Sequence, residues 1–173
     1  MTRNTRNATA MALLVASFLV PPPTVSAAPA EWTTAASPCV PDEASDGIYN
    51  LEQARFEFLG ANVGQIVARC NITNPLDVGN PAWDCMSITY DDPDGMQVQS
   101  RVRVQLRLAR DTDGASSTIT TFDSNVVVDS NPEVHCFDHS FNFQRNAYYL
   151  TLILDRQNAL LAPRIMRVRL FQA

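Results

Sequence analysis

Hydrophobic and polar positions alternate over short runs along most of the chain beyond Gly47. The runs are QARFEFL (53–59), VGQIVARC (63–70), DCMSITY (84–90), MQVQSRVRVQLRLAR (96–110), SSTITTF (116–122), NVVVD (125–129), EVHCFDHSFNF (133–143), AYYLTLILDR (147–156) and RIMRVRLFQ (164–172). Successive strand side chains point to opposite faces, so a period of two marks strands with one buried face. Turn formers separate the runs at 59–62, Asn74-Pro75, 79–81, 93–95, Asp113-Gly114, Asn131-Pro132 and Pro163. No 3.6-residue period is sustained and no repeat occurs. The pattern predicts an all-β domain over 47–173, an antiparallel β-sandwich of about eight or nine strands, jelly-roll or immunoglobulin-like. Residues 28–46, rich in Ala, Ser, Thr and Pro, read as an extended N-terminal segment held at Cys39.

Parity assigns faces. In RVRVQLRLAR, Val102, Val104, Leu106 and Leu108 share one face, and Arg101, Arg103, Gln105 and Arg107 the other. In the last run Met166, Val168 and Leu170 oppose Arg167 and Arg169. Were these two strands neighbours, five arginines would lie on one face. That face either pairs with acids such as Glu57 and Asp155 on adjacent strands or receives an anionic ligand.

The N-terminus changes the picture of where the chain works. Arg3 and Arg6 precede an apolar run over 10–20, and Val25-Ser26-Ala27 offers small residues for cleavage. Residues 1–27 therefore read as a secretory signal peptide, and the apolar run is too short to span a bilayer. The chain has a net charge of −5, and losing the two leader arginines makes it more acidic. That excludes general nucleic-acid binding, which rests on phosphate contacts. All four cysteines, Cys39, Cys70, Cys85 and Cys136, follow the leader, as expected for two disulfides in an oxidising compartment. Three pairings are possible. The favoured one joins Cys39 to Cys70, tying down the N-terminal segment, and Cys85 to Cys136, crossing between sheets. No CxxC pair supports zinc, and no cofactor is expected.

Candidate chemistry is sparse. The turns DDPDG (91–95) and DTDG (111–114) fail as EF-hand loops. With Gly95 at the sixth position the first would be Tyr90 and the twelfth Arg101; with Gly114 there, they would be Ala109 and Thr120. Asp91, Asp92 and Asp94 stand as candidates for structural calcium beside the plainer reading as a turn. Both histidines, His135 and His139, fall in EVHCFDHSFNF. Parity puts them with Phe137, Phe141 and Phe143, away from Cys136, Asp138 and Ser140, so no nucleophile, base and orienting group are preassembled. There is no GxSxG elbow. Trp83, in a Pro-containing loop, is a candidate stacking platform for a sugar ring, with Tyr90, Tyr148 and Tyr149 in support and Arg101, Arg103 and Arg107 for acidic sugars; the alternative is that Trp83 caps the sandwich edge. Asn71-Ile72-Thr73 matches a glycosylation sequon that matters only in a eukaryotic secretory pathway.

CNITNP (70–75), the segment W…ITYDDPDGM (83–96) with the arginine-rich strand after it, and NAYYLTLILDR (146–156) resemble a loose group of small exported bacterial proteins with no assigned activity. The resemblance covers residues 47–173. It implies an exported β-sandwich and carries over no catalytic residue. The expected function is that of a non-enzymatic binding or envelope-interaction module, secreted or periplasmic, with a protein or glycan partner and no membrane span. The alternatives are a carbohydrate-binding module and a hydrolase built around His135 and His139.

Overall fold

The computed structural model describes residues 31–74, 79–127 and 132–173. The segment 1–27 read as a signal peptide, the end of the run 125–129, and Pro75 and Asn131 of two expected turns lie outside them. Eleven strands are formed among the described residues: β1 (Trp32–Ala35), β2 (Val40–Pro41), β3 (Tyr49–Glu52), β4 (Arg55–Phe58), β5 (Gly64–Ile72), β6 (Cys85–Asp91), β7 (Ser100–Arg110), β8 (Ser116–Asp123), β9 (Glu133–Cys136), β10 (Asn146–Arg156) and β11 (Arg164–Phe171). The helix among them is confined to single 3-10 turns at Glu43–Ser45 and Ser124–Val126.

All pairing is antiparallel. One sheet runs β3-β4-β11-β6-β9, with β1 also on β11, and the other runs β2-β5-β10-β7-β8. Four of the pairs, β4 with β11, β5 with β10, β6 with β9 and β7 with β8, are the rungs of one long hairpin whose tip is the turn at 111–115. Rolling that hairpin adds β11 to β6 and β10 to β7, and rungs fall alternately into the two sheets. This is the jelly-roll member of the two sandwich types the pattern allowed. Val102, Val104 and Leu106 of β7, Leu150, Leu152 and Leu154 of β10 and Ile66 of β5 close onto Phe56, Ile88, Ile165, Val168 and Leu170 of the opposite sheet, all at 0% exposure.

Several expectations change. β7 and β11 lie in different sheets, so Arg101, Arg103 and Arg107 do not share a face with Arg167 and Arg169. A bulge between Ile165 and Arg167 shifts the parity of β11, so Ile165 rather than Met166 joins Val168 and Leu170 inside. The run 133–143 is a strand only to Cys136. Gln53, at φ 56°, turns the chain between β3 and β4, so the run 53–59 contributes half a hairpin. The segment 28–46 contributes one short strand to each sheet, and Trp32 and Ala36 within it are buried. These additions account for eleven strands where about eight or nine were expected.

Both disulfides have the expected partners. Cys39–Cys70 fastens the crossing between β1 and β2 to β5. Cys85–Cys136 joins directly opposed residues of neighbouring β6 and β9 within one sheet, rather than spanning the two sheets. Two disulfides and no free cysteine among the described residues suit an oxidising, extracellular or periplasmic environment. Each closes a loop of tens of residues and stabilises chiefly by restricting the unfolded chain. Replacing Cys39 and Cys70 together by serine is expected to lower unfolding free energy by about 2–4 kcal/mol, as is replacing Cys85 and Cys136. Urea unfolding of the two double variants measures both losses.

Candidate functional site

β4, β6, β8 and β10 end, and β5, β7, β9 and β11 begin, at one end of the sandwich, so the connections 59–63, 92–99, 124–127 and 157–163 gather there. Polar side chains at core-facing positions bind these loops together. Arg156, 4% exposed, donates from Nη1 to the Gly60 carbonyl (2.7 Å), from Nε to that of Asn158 (3.3 Å) and from Nη2 to that of Ala159, with Phe58 beneath its guanidinium (5.6 Å). Gln157 N donates to the Gln99 carbonyl (2.7 Å) and Asn158 Nδ2 to Gln99 Oε1 (2.9 Å). Ser124 Oγ donates to Asp92 Oδ2 (2.5 Å) and accepts from Val102 N (2.8 Å). These are the residues that a reading by type overlooks. Their signal is positional, because Ser100 and Arg156 occupy inward parity on β7 and β10.

Around this braced scaffold the loop tips are apolar. Leu160 is 91% exposed, Val126 74% and Val98 71%, with Met96, Val63 and Leu59 each about half exposed. Among the described residues only Val40 and Val134 are exposed large hydrophobics outside these loops. The opposite end differs: Trp83, Phe137, Phe141, Phe143 and Tyr148 pack into a closed aromatic group.

On the outer face of the five-stranded sheet, beside the apolar tips, lies an open groove of about 620 Å³ lined by residues including Gln65, Val98, Arg101, Arg103, Asn125 and Asp155. Arg101 binds Asp123 through Nε to Oδ1 (2.8 Å) and through Nη2 to Oδ2. Arg103 Nη2 donates to Asp155 Oδ2 (2.8 Å), whose Oδ1 accepts from Gln65 Nε2 (2.7 Å). The Arg101 guanidinium and the backbone N–H of Asn125 hold the Asp123 carboxyl below its ordinary range against the opposing effect of burial. Farther along the face Arg107 lies over the Tyr149 ring (5.7 Å) and donates to Ser116 Oγ (3.1 Å).

The candidate residues thus separate. Arg101, Arg103, Arg107 and Tyr149 do share one outer face. Trp83, Tyr90 and Tyr148 do not join them: they are 1%, 3% and 2% exposed. The Trp83 ring is walled by Phe141 (5.1 Å) and Phe143 (6.1 Å), Tyr90 packs on Phe122 (5.0 Å), and Tyr148 Oη accepts from Asn142 N (2.9 Å). None offers a free ring face, which corrects the stacking platform and leaves the edge-capping role for Trp83. A smaller hollow of about 300 Å³ lies over Trp83, Phe137 and His139. His139 Nε2 meets Tyr148 Oη (3.3 Å), and burial pushes its pKa down while Asp138 opposes. His135 Nε2 meets Thr120 Oγ1 (2.8 Å), a link between edge strands β9 and β8 of the two sheets. Each ring has its own hydroxyl partner, and Asp138 and Ser140 stay exposed on the other side.

The 91–95 carboxylates also have separate tasks. Asp91 pairs with Arg164 (2.7 Å), and Asp94 Oδ2 accepts from Gln99 N (2.8 Å) and Ser100 N (3.0 Å). Ser100 Oγ lies against both Asp92 and Asp94. Among the described residues no three histidine, cysteine or carboxylate groups converge to hold a metal ion.

Burial raises the Asp92 pKa, and its neighbour Asp94 adds to this. At Asp94 the upward push of burial is outweighed by hydrogen bonds from Ser100 and Gln99, and its pKa falls. A raised carboxyl favours the fold below its unfolded pKa and loses that contribution as pH rises; a lowered one favours the fold at neutral pH and loses it on acidification. Asp92→Asn is therefore expected to raise Tm at pH 7, and Asp94→Asn to lower it, with the gap between them narrowing toward pH 3; thermal melts across that range measure it. Trp83→Ala is expected to cost about 3–5 kcal/mol in urea unfolding, as for a buried core aromatic, whereas an exposed platform would change stability little.

Comparison with protein-family models, curated proteins and solved structures found no match to this chain.

Proposed function

We propose that this chain is a non-enzymatic interaction module, exported to the periplasm or outside the cell by its N-terminal signal, that docks a protein partner through the loop end of the jelly roll. The observation that carries the reading is the exposure of Leu160, Val126, Val98 and Met96 on three different connections at one end. Large exposed aliphatic groups gathered in one place mark contact surfaces on soluble proteins. The bracing of these loops by Arg156, Gln99 and Asp92 supports the reading further, because a contact surface already ordered before docking loses less entropy on association.

At the loop end on the side of the six-stranded sheet Asp91 is paired with Arg164 and Glu57 with Arg55, so the surface complementary to the tips is chiefly aliphatic. The hydrolase reading around His135 and His139 draws no comparable support, since neither ring is paired with a nucleophile and orienting carboxylate.

A photo-crosslinker placed at position 126 is expected to give one discrete adduct in the native extracytoplasmic fraction. The same adduct should be lost in the triple variant Val98→Ser, Met96→Ser, Leu160→Ser and kept in Val40→Ser, which changes an equally exposed residue away from the loop end. Exposed substitutions move stability by only about 0.5 kcal/mol, so all variants should melt like the parent. An adduct indifferent to the triple change would overturn the proposal.

A further inference from the structure

The groove beside the apolar tips has a different chemistry, and it goes beyond the protein-docking surface. Three arginines, Arg101, Arg103 and Arg156, line it against Asp155 in the lining and Asp123 on Arg101, which leaves one net positive charge there although the chain as a whole is acidic. Arg156 contributes chiefly charge, since it is 4% exposed and three of its five N–H donors are held by backbone carbonyls. Arg101 and Arg103 are different. A guanidinium has five N–H donors; Arg101 commits Nε and Nη2 to Asp123, and Arg103 commits Nη2 to Asp155. Among the described residues the Nη1 donors of both remain, on side chains whose orientation is already fixed by those aspartates. Fixed, planar donors suit a carboxylate.

The rest of the lining suits hydroxyl groups. Gln65, Asn125 and Gln157 bring amides that donate and accept, and Asp155 keeps acceptor capacity beyond its two bonds. The volume, about 620 Å³, is in the range of small-molecule sites. Among the described residues no aromatic ring lines the groove, so a neutral sugar lacks the stacking face it would need there. The same outer face continues past Gln105 to Arg107 and Tyr149, roughly 20 Å from Arg101 at strand spacing, which gives an extended chain a second basic contact.

From this arrangement we infer that the groove binds a carboxylate-bearing saccharide, of the uronic-acid class, with its carboxylate between Arg101 and Arg103 and its hydroxyls on Gln65, Asn125 and Asp155.

Calorimetric titration of the oxidised chain with oligoglucuronate, with the uncharged glucose oligomer of equal length, and with oligoglutamate of equal charge tests it. Oligoglucuronate is expected to bind at least tenfold more tightly than either control, and more weakly as salt rises. Arg101→Gln and Arg103→Gln should each weaken it roughly tenfold, with Arg103→Lys recovering only part because the planar fork is lost. Gln157→Ala, on an exposed loop, should weaken binding without any change in melting, which separates loss of a ligand contact from loosening of the sheet. The double variant Met96→Ser, Leu160→Ser, which spares the groove-lining Val98, should bind the saccharide normally, so failure here and failure of the docking surface are read separately. No binding of oligoglucuronate, equal binding of the glucose oligomer, or equal binding of oligoglutamate would each overturn the inference.

Discussion

The register of β10 is the constraint on which the rest of the structure depends. β10 pairs along its whole length with β7 and over nine positions with β5. Leu150, Leu152 and Leu154 face the core, and Thr151 and Ile153 are buried on the outer side as well, under the long side chains of neighbouring strands. A strand covered on both faces has no register to slip into without exposing one apolar set. Because that register is fixed, Asp155 stands opposite Arg101 and Gln65, and Ile153 opposite Arg103 and Val67. The ion pairs of the groove follow from core packing. Partly exposed pairs contribute little to stability, about 0–1 kcal/mol each, so their main effect is to orient the arginines.

The two ends of the sandwich solve the same problem differently. A jelly roll leaves several loops at each end, and loops carry backbone groups that need partners. At the Trp83 end, edge-on aromatic packing covers the core, and Tyr148 Oη and Asn142 take up polar groups beneath it. At the other end, Arg156 and Ser124 enter from inward-facing positions and satisfy loop carbonyls, carboxylates and amides directly. The aliphatic residues of those loops are then not needed to cover the core, and they point outward. An apolar residue left in water on a rigid loop, while the fold closes without it, calls for a partner more strongly than one on a frayed terminus.

Much of this was legible in the alternation of residues. The inward faces of β7 and β10 and the outward arginines follow from period, and four cysteines imply two disulfides; the pairing was favoured among three, and Cys85–Cys136 lies within one sheet rather than between two. What was not legible has specific causes. The bulge at 165–167 changes parity without any glycine or proline to mark it, so Met166 reads as core. Phe141 and Phe143 continue the alternation of β9 in sequence, yet β9 ends at Cys136, and the bond from Phe137 N to the Asp84 carbonyl is the last that follows its register with β6. Trp83 reads as a platform because its loop contains proline, whereas Phe141 and Phe143, which wall it, come 58 and 60 positions later in the chain, beyond the reach of local pattern. Long-range pairing also decides that β7 and β11 are in different sheets. Inward parity at Ser100 and Arg156 was the overlooked clue: a polar side chain at a core position needs a buried partner, and here the partners are the loops of the candidate site.

The apolar tips and the basic groove share their framework, and that has a physical consequence. Val98 lines the groove and is itself one of the exposed tips; Asn125 lines it next to exposed Val126. Gln99 binds the 157–158 loop, and Asp94 binds the backbone of Gln99 and Ser100, one residue from Arg101. Displacing the 92–99 connection would therefore disturb both surfaces, whereas removing a single tip side chain leaves the bracing bonds intact. Occupants of the two proposed surfaces would meet at Val98, so a saccharide in the groove and a protein on the tips would influence one another there, through direct contact and through the order of one loop. The fold sets an arginine-lined groove and an apolar surface side by side on a single braced end, and on the proposed reading that arrangement would suit a partner that is itself attached to, or surrounded by, acidic glycan.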